Sequence, residues 1–319
     1  MYRLVLIIDP DSWLGLELRH LIALKAIAEH GTFGRAAKEL GYTQSAISQQ
    51  IATLERIVGQ RLIDRPGGPR PVSLTQAGEL LLRHADAVAA RLQAAQADLA
   101  ALDAGESGPL RIGTYQSVGA KILPALLREF TKDWPQVEIT LRESADDHEL
   151  ALLIERGELD LSFVVLPLSP GPYETVELFR DPYVLVVPAG SPLAARDRKP
   201  SLREIVDQPL ISYRTCRTTQ RVEDRLRQTG RNPNILFRSD ENGTVQGLVA
   251  AGVGIGIMPR LAVDEGDSAI EAVDLGDRVP PRLIGLAWHR DRHRTRAAEA
   301  FVELAQRQTS HFGAETLAA

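Results

Sequence analysis

The chain has 319 residues, 44% of them hydrophobic and 25% charged, with a formal net charge of -5. That length suits two or three domains, and no apolar run approaches the roughly twenty residues that a membrane-spanning helix needs. A single cysteine, Cys216, cannot close an internal disulfide, and the acidic balance excludes a wholly basic nucleic-acid coat.

The charge is unevenly spread. Residues 16–75 hold eight Lys/Arg against five Asp/Glu, net +3, and the remainder is acidic, as expected of a protein that touches DNA with one end. Residues 1–15, MYRLVLIIDPDSWLG, carry a short apolar run halted by Asp9-Pro10 and lack a signal-cleavage region, so they read as an extension or an early start site.

Leu18, Leu21, Leu24 and Ile27 or Ala28 line one side of a first amphipathic helix, which Gly31 ends. The stretch 32–54, TFGRAAKELGYTQSAISQQIATL, predicts two short helices joined by a tight turn. Ala36 and Ala37 permit close helix packing, Gly41 supplies the backbone of a sharp turn, and Thr43 is placed to cap the second helix. There Ile47, Ile51 and Leu54 recur at helical spacing and form a buried stripe, which leaves Gln44, Ser45, Ser48 and Gln49 outward. Amides and hydroxyls both donate and accept, as reading base edges requires, whereas Lys and Arg alone would hold phosphates without reading sequence. A helical hairpin with an ordinary solvated face is the plainer alternative.

Residues 64–75, DRPGGPRPVSLT, favour a stiff extended hairpin carrying Arg65 and Arg70: a wing touching DNA backbone or minor groove, or an exposed loop. Residues 76–103, rich in alanine and free of proline, predict a long helix. Its apolar residues Leu81, Ala85, Val88, Leu92, Ala95, Leu99 and Leu102 alternate steps of four and three. Such a heptad seam predicts a dimer through this helix, against the alternative of a helix packed on its own chain.

After a hinge at 104–109, strands are expected at 110–113, 137–143, 159–166, 183–187, 209–213, 235–239, 256–258 and 283–288. Helices are expected at 118–132, 147–156, 201–206, 219–229, 244–251 and 294–306. The alternation implies parallel sheets covered by helices, and the length favours two sheets over one. Three candidate ligand edges lie beyond strand ends: Thr114, Gln116 and Ser117; Ser212, Arg214 and Arg217; and Asn242 with Thr244. Helix-start amides and the two arginines there would suit a small anionic metabolite. An ordinary cap or solvated loop is the alternative for each.

With these pieces in place the chain resembles the LysR-type transcriptional regulators. The match is most specific in LRHLIALKAIAEHGTFGRAAKELGYTQSAISQQIATLERIVGQRLIDR followed by LTQAGELLL. The resemblance implies an α/β chain with a winged helix-turn-helix at 16–75, a dimerising linker helix at 76–104, and an effector domain at 105–309 that looks like a periplasmic solute-binding protein. Its lobe one would comprise 109–166 and 283–309, its lobe two 167–282, with a tail at 310–319. By the same match Gln44, Ser45, Ser48 and Gln49 would reach bases or adjacent phosphates, while Arg35, Lys38, Thr43, Arg65 and Arg70 position the head. The resemblance also implies a dimer of dimers on double-stranded promoter DNA, a small-molecule effector and a cytoplasmic location, with RNA polymerase among the candidate partners.

Other motifs carry less. The glycines of 252–256 follow a helix and lead into a strand, the reverse of a pyrophosphate cradle, and read as helix exit and close packing. His289 and His293, four apart in HRDRHR, read as a solvated turn rather than a metal pair, and Asp146-Asp147 as helix capping. Residues 113–119 lack the glycine spacing of a serine nucleophile elbow. Cys216 alone lacks the partner thiol of a redox switch and reads as a core or pocket residue. No catalytic constellation, cofactor or metal site is expected. The alternatives to a regulator are a small-molecule-binding protein or enzyme with an accessory DNA-binding head, and an architectural DNA-binding protein indifferent to ligand.

Overall fold

The computed structural model describes residues 13–64, 72–104, 108–195, 198–214 and 217–309. The chain divides into two compact units, one up to Leu92 and one from Gln93 onward.

The first unit is built on α1 (Leu18–His30), α2 (Phe33–Glu39) and α3 (Gln44–Val58), followed by the short strands β1 (Ile63–Asp64) and β2 (Ser73–Leu74) and the start of α4 (Gln76–Ala104). Gly31 closes α1 in the left-handed region at φ 67°, and Gly41 makes the α2–α3 turn at φ 69°. Leu24, Ile27, Ala36, Ala37, Ile47, Ile51 and Leu54 share one buried core with Leu62, Leu81 and Ala85. The small-residue pair and the i, i+4, i+7 stripe do what their spacing predicts.

β1 and β2 pair antiparallel, Ile63 opposite Leu74, and Glu55 Oε1 accepts from the backbone N–H of Leu62 (2.8 Å) and Ile63 (3.2 Å), which fastens this ribbon to the end of α3. The loop between the strands, with Arg65 and Arg70, lies outside the described residues, as do residues 1–12. Gly78, inside α4, is required by contact: a Cβ there would lie 2.1 Å from the Leu62 carbonyl oxygen.

The second unit contains two five-stranded sheets. In lobe one, β3 (Leu110–Thr114), β4 (Ile139–Glu143), β5 (Leu161–Leu166), β6 (Tyr173–Asp181) and β12 (Arg282–His289) run in the order β4-β3-β5-β12-β6. In lobe two, β7 (Tyr183–Pro188), β8 (Leu210–Tyr213), β9 (Ile235–Ser239), β10 (Ile255–Pro259) and β11 (Ile270–Asp274) run in the order β11-β7-β10-β8-β9. Both sheets are mixed: β12 is antiparallel to β5 and β6, and β7 to β10 and β11, which corrects the expectation of purely parallel sheets.

Two strands, β6 and β11, were not expected. β6 places the lobe boundary at Pro182 rather than 167, because this half-exposed edge strand, YETVELFRD, lacks a continuous apolar run. The expected helix at 118–132 is two helices, α5 (Gln116–Lys121) and α6 (Leu123–Asp133), with Pro124 in the first turn of the second, where its missing N–H costs nothing.

The remaining helices are α7 (Asp147–Glu155), α8 (Leu202–Val206), α9 (Arg217–Arg227), α10 (Asn242–Ala250) and α11 (Arg296–Thr309). Lobe one packs around Phe130, Phe163 and Phe301, with the Phe130 and Phe301 rings edge-to-face at 5.4 Å. In lobe two, Gly252 (φ 74°) ends α10, and a Cβ at Gly254 would meet the Pro209 carbonyl oxygen at 2.6 Å, so this run serves helix exit and close packing. The chain crosses between lobes at Pro182 and again between β11 and β12, so the end of β6 and the start of β12 lie side by side at the crossover, Asp181 opposite Arg282.

Candidate functional site

The outward face of α3 is held by its caps. Thr43 Oγ1 accepts from Ala46 N–H at 3.2 Å, and Thr32 caps α2 by accepting from Arg35 N–H at 3.2 Å. Gln44, Ser45 and Gln49 are exposed and Ser48 is half-buried; Arg35, Lys38 and Thr43 flank them, all exposed. Ser45 Oγ lies 3.0 Å from Thr43 Oγ1, so the cap also steers a residue of the ridge. Tyr42, half-exposed in the turn before α3, is a residue that sequence reasoning passed over.

The heptad row of α4 divides. Leu81 and Ala85 are buried in the head core and are not available to a partner, a correction to the seven-residue seam. Val88, Leu92 and Leu99 are exposed, at 46%, 49% and 65%, and Ala95 is exposed too. The side chain of Leu102 lies outside the described residues.

Between the lobes lies a cavity of about 610 Å³, within the usual range for small-molecule sites. Six of the eight sequence-predicted effector residues line it: Gln116, Ser117, Ser212, Arg214, Arg217 and Asn242. Thr114 and Thr244 do not, a correction: Thr114 is buried within β3, and Thr244 faces outward from α10. Cys216 lies outside the described residues.

Two sets of bonds cross the cavity from lobe to lobe. Gln116 Nε2 donates to Glu241 Oε2 at 2.7 Å, and its Oε1 accepts from the Asn242 N–H at 2.9 Å. Arg217 Nη2 donates to the Val165 carbonyl at 2.6 Å and meets Asp147 Oδ2 at 3.4 Å, while its Nη1 reaches the Pro167 carbonyl.

At the crossover, Arg282 Nε donates to Asp181 Oδ2 at 2.7 Å and Nη2 to Ser117 Oγ at 2.7 Å, with the guanidinium 5.3 Å from the centre of the Tyr115 ring. Asp181 Oδ1 also accepts from the Leu261 N–H of lobe two at 3.0 Å. Burial works against the charge on Arg282, but Asp181, with Tyr115 and Tyr183, outweighs it and holds the pKa above the ordinary arginine value.

Sequence reasoning missed Arg282, Asp147 as anything beyond a cap, and the aromatic walls. Tyr115, Tyr173, Tyr183 and Tyr213 line the cavity, four of the six tyrosines in the chain, and that concentration is a signal composition could have prompted. Burial raises the pKa of the Tyr115, Tyr173 and Tyr213 hydroxyls, keeping them neutral. The Tyr115 hydroxyl is buried without a hydrogen-bond partner among the described residues.

Asp146 does cap α7, accepting from His148 N–H at 2.9 Å, whereas Asp147 is mostly buried. Burial raises its carboxyl pKa, opposed by Arg217. His289 Nδ1 accepts from Asp291 N–H at the strand exit, and among the described residues no group of three His, Cys, Asp or Glu could hold a metal ion.

A polar ridge on a capped helix after a glycine turn can read DNA but not transform it. A cavity closed by bonds from two lobes can sense a small molecule by opening or closing. Together they fit a ligand-responsive DNA-binding regulator.

Comparison with known proteins agrees. The family model described as "Bacterial regulatory helix-turn-helix protein, lysR family" matches residues 18–79, and that described as "LysR substrate binding domain" matches residues 103–310. The chain therefore belongs to the LysR family of DNA-binding transcriptional regulators, whose mechanism is effector binding. It is 30% identical over 301 residues to the uncharacterized HTH-type transcriptional regulator YybE of Bacillus subtilis (strain 168), covering 93% of this chain and 99% of that protein. It is 35% identical over 252 residues to the HTH-type transcriptional regulator AlsR of the same organism, covering 77% and 82%. Among solved structures, HinK, a LysR family transcriptional regulator from Pseudomonas aeruginosa, superposes with a TM-score of 0.58 at 25% identity, covering 92% of this chain and 98% of that one.

Proposed function

We propose that Gln44, Ser45, Ser48 and Gln49 read base edges in the major groove of a promoter operator, while Arg35, Lys38 and Thr43 hold the backbone and the effector binds in the inter-lobe cavity. Val88, Leu92, Ala95 and Leu99 of α4 join two copies, and two such dimers act together on a partly palindromic site in the cytoplasm. Among the described residues no helix is long and apolar enough to cross a membrane. The ligand favours one lobe arrangement, changes the spacing or angle of the paired heads, and so alters DNA bend and RNA polymerase access.

The observation that carries this reading is the pair of inter-lobe latches at Gln116 and Arg217, which make the volume of the cavity and the separation of the lobes one variable. Gln116→Leu deletes two of those bonds and leaves the core untouched. By fluorescence anisotropy on an operator fragment, this variant is expected to shift operator affinity or footprint several-fold without any ligand. Affinity and footprint identical to the parent chain would count against coupling through the lobes.

A further inference from the structure

The charges facing the cavity are Arg214, Arg217 and Arg282 against Asp146, Asp147, Glu155, Glu223 and Asp240. Each arginine is already engaged: Arg214 with Asp240 at 3.0 Å, Arg217 with Asp147, and Arg282 with Asp181. Glu223 is held by two arginines from outside the lining, Arg238 at 2.6 Å and Arg227 at 2.9 Å. Asp146 and Glu155 have no cationic partner among the described residues, so the cavity keeps a surplus of negative charge. An incoming anion would add to that surplus and would have to displace a carboxylate of the chain from its guanidinium; an incoming cation would reduce it.

The carboxylates are placed for contact. Asp147, Ala151 and Glu155 follow at steps of four along one face of α7, all lining the cavity. This sets two acids about 12 Å apart along the helix axis, with only a methyl group between them. Arg217 spends its shorter bonds on the Val165 and Pro167 carbonyls and meets Asp147 at 3.4 Å, which leaves that carboxylate with unused acceptor capacity. A second, independent feature asks for a ligand: the Tyr115 side chain is 8% exposed, lines the cavity, and its hydroxyl has no partner. Tyr173, Tyr183 and Tyr213 line the cavity as well, and aromatic rings attract organic cations; the Tyr115 ring already carries the Arg282 guanidinium at 5.3 Å.

Resting on the reading of this cavity as the effector site, we propose that the effector is a small organic cation, an amine protonated at neutral pH, that donates to Asp147 and is enclosed by the tyrosine rings. An amine with a second nitrogen would use Glu155 as well.

The test is calorimetric titration of the full-length protein with two matched trios: 2-phenylethylamine, 2-phenylethanol and phenylacetate, and 1,5-diaminopentane, 1,5-pentanediol and glutarate. In each trio the amine is expected to bind at least tenfold more tightly than the alcohol and the carboxylate. Asp147→Asn is expected to weaken amine binding tenfold or more. Tyr115→Phe, which removes only an unpartnered hydroxyl and preserves the packing, serves if the first variant does not fold, and is expected to weaken it several-fold.

Equal or tighter binding of a carboxylate or alcohol, no amine binding at millimolar concentration, or amine affinity untouched by either variant overturns the proposal. Operator affinity measured in the same samples separates the two levels. A preferred carboxylate that changes DNA binding removes the amine and keeps the effector cavity. A preferred amine that leaves DNA binding unchanged removes the effector reading itself.

Discussion

The crossover pair Arg282–Asp181 offers the sharpest energetic test of how the lobes are joined. Their side chains are 10% and 3% exposed and meet at 2.7 Å, so solvent screens the interaction little. In Arg282→Met the Asp181 carboxylate keeps the Leu261 N–H but loses its counter-charge, while Ser117 Oγ loses a donor. Leaving a buried charge uncompensated costs about 3–5 kcal/mol. With a urea dependence of about 2 kcal/mol per molar, the midpoint of the effector-domain transition should fall by about 2 M. Urea unfolding followed by tryptophan emission reports it, since Trp134 and Trp288 both lie in lobe one. The double variant Arg282→Met with Asp181→Leu removes both charges and should recover most of the loss, because the penalty belongs to the orphaned charge rather than to the missing bond. A single variant within 1 kcal/mol of the parent, or a double variant no more stable than the single, would refute this account of the crossover.

Two further predictions concern the first unit and the linker helix. Gly78→Ala would ordinarily gain about 1 kcal/mol of helix propensity, but its Cβ would stand 2.1 Å from the Leu62 carbonyl, so a net loss of about 1–2 kcal/mol is expected in thermal melts; a gain would show that the ribbon yields freely. Replacing Leu92 and Leu99 together by Glu, at positions that are 49% and 65% exposed, should leave helix content by circular dichroism unchanged while the mass by light scattering falls by at least half; an unaltered mass would take the dimer off α4.

The head could be read in the sequence because its signals are local. Thr43, Gly41 and the Ile47, Ile51, Leu54 stripe each act within one or two helical turns, and each adopts the conformation its chemistry demands. The effector domain was legible as alternating strands and helices but not in strand direction: the family resemblance returned 283–309 to lobe one, yet nothing in the β12 segment says that it pairs antiparallel with β5. Edge strand β6 escaped because half its residues face solvent and break the apolar pattern.

The α4 periodicity was real, yet its first two members, Leu81 and Ala85, serve the chain's own core, and a heptad cannot state which neighbour it packs against. In the cavity, Arg214 and Arg217 looked like free partners for an anion. Their carboxylates, Asp240 and Asp147, are brought to them by the fold, the second from seventy residues away. Asp147 was visible as a residue and invisible as a site, because whether a helix-start acid caps or faces a cavity depends on what packs across from it.

The proposed discrimination of an operator from bulk DNA rests on the uncharged ridge of α3. It is tested most directly by measuring Ser45→Ala with Gln49→Ala against the parent chain on a fragment selected from a random oligonucleotide pool and on an unrelated duplex, at one salt concentration. Lost base contacts are worth about 1–3 kcal/mol each, so affinity for the selected fragment should fall by about ten- to several-hundred-fold. Affinity for the unrelated duplex, carried by phosphate contacts, should hardly move. Equal losses on both, or failure of the parent chain to enrich any sequence, would contradict it.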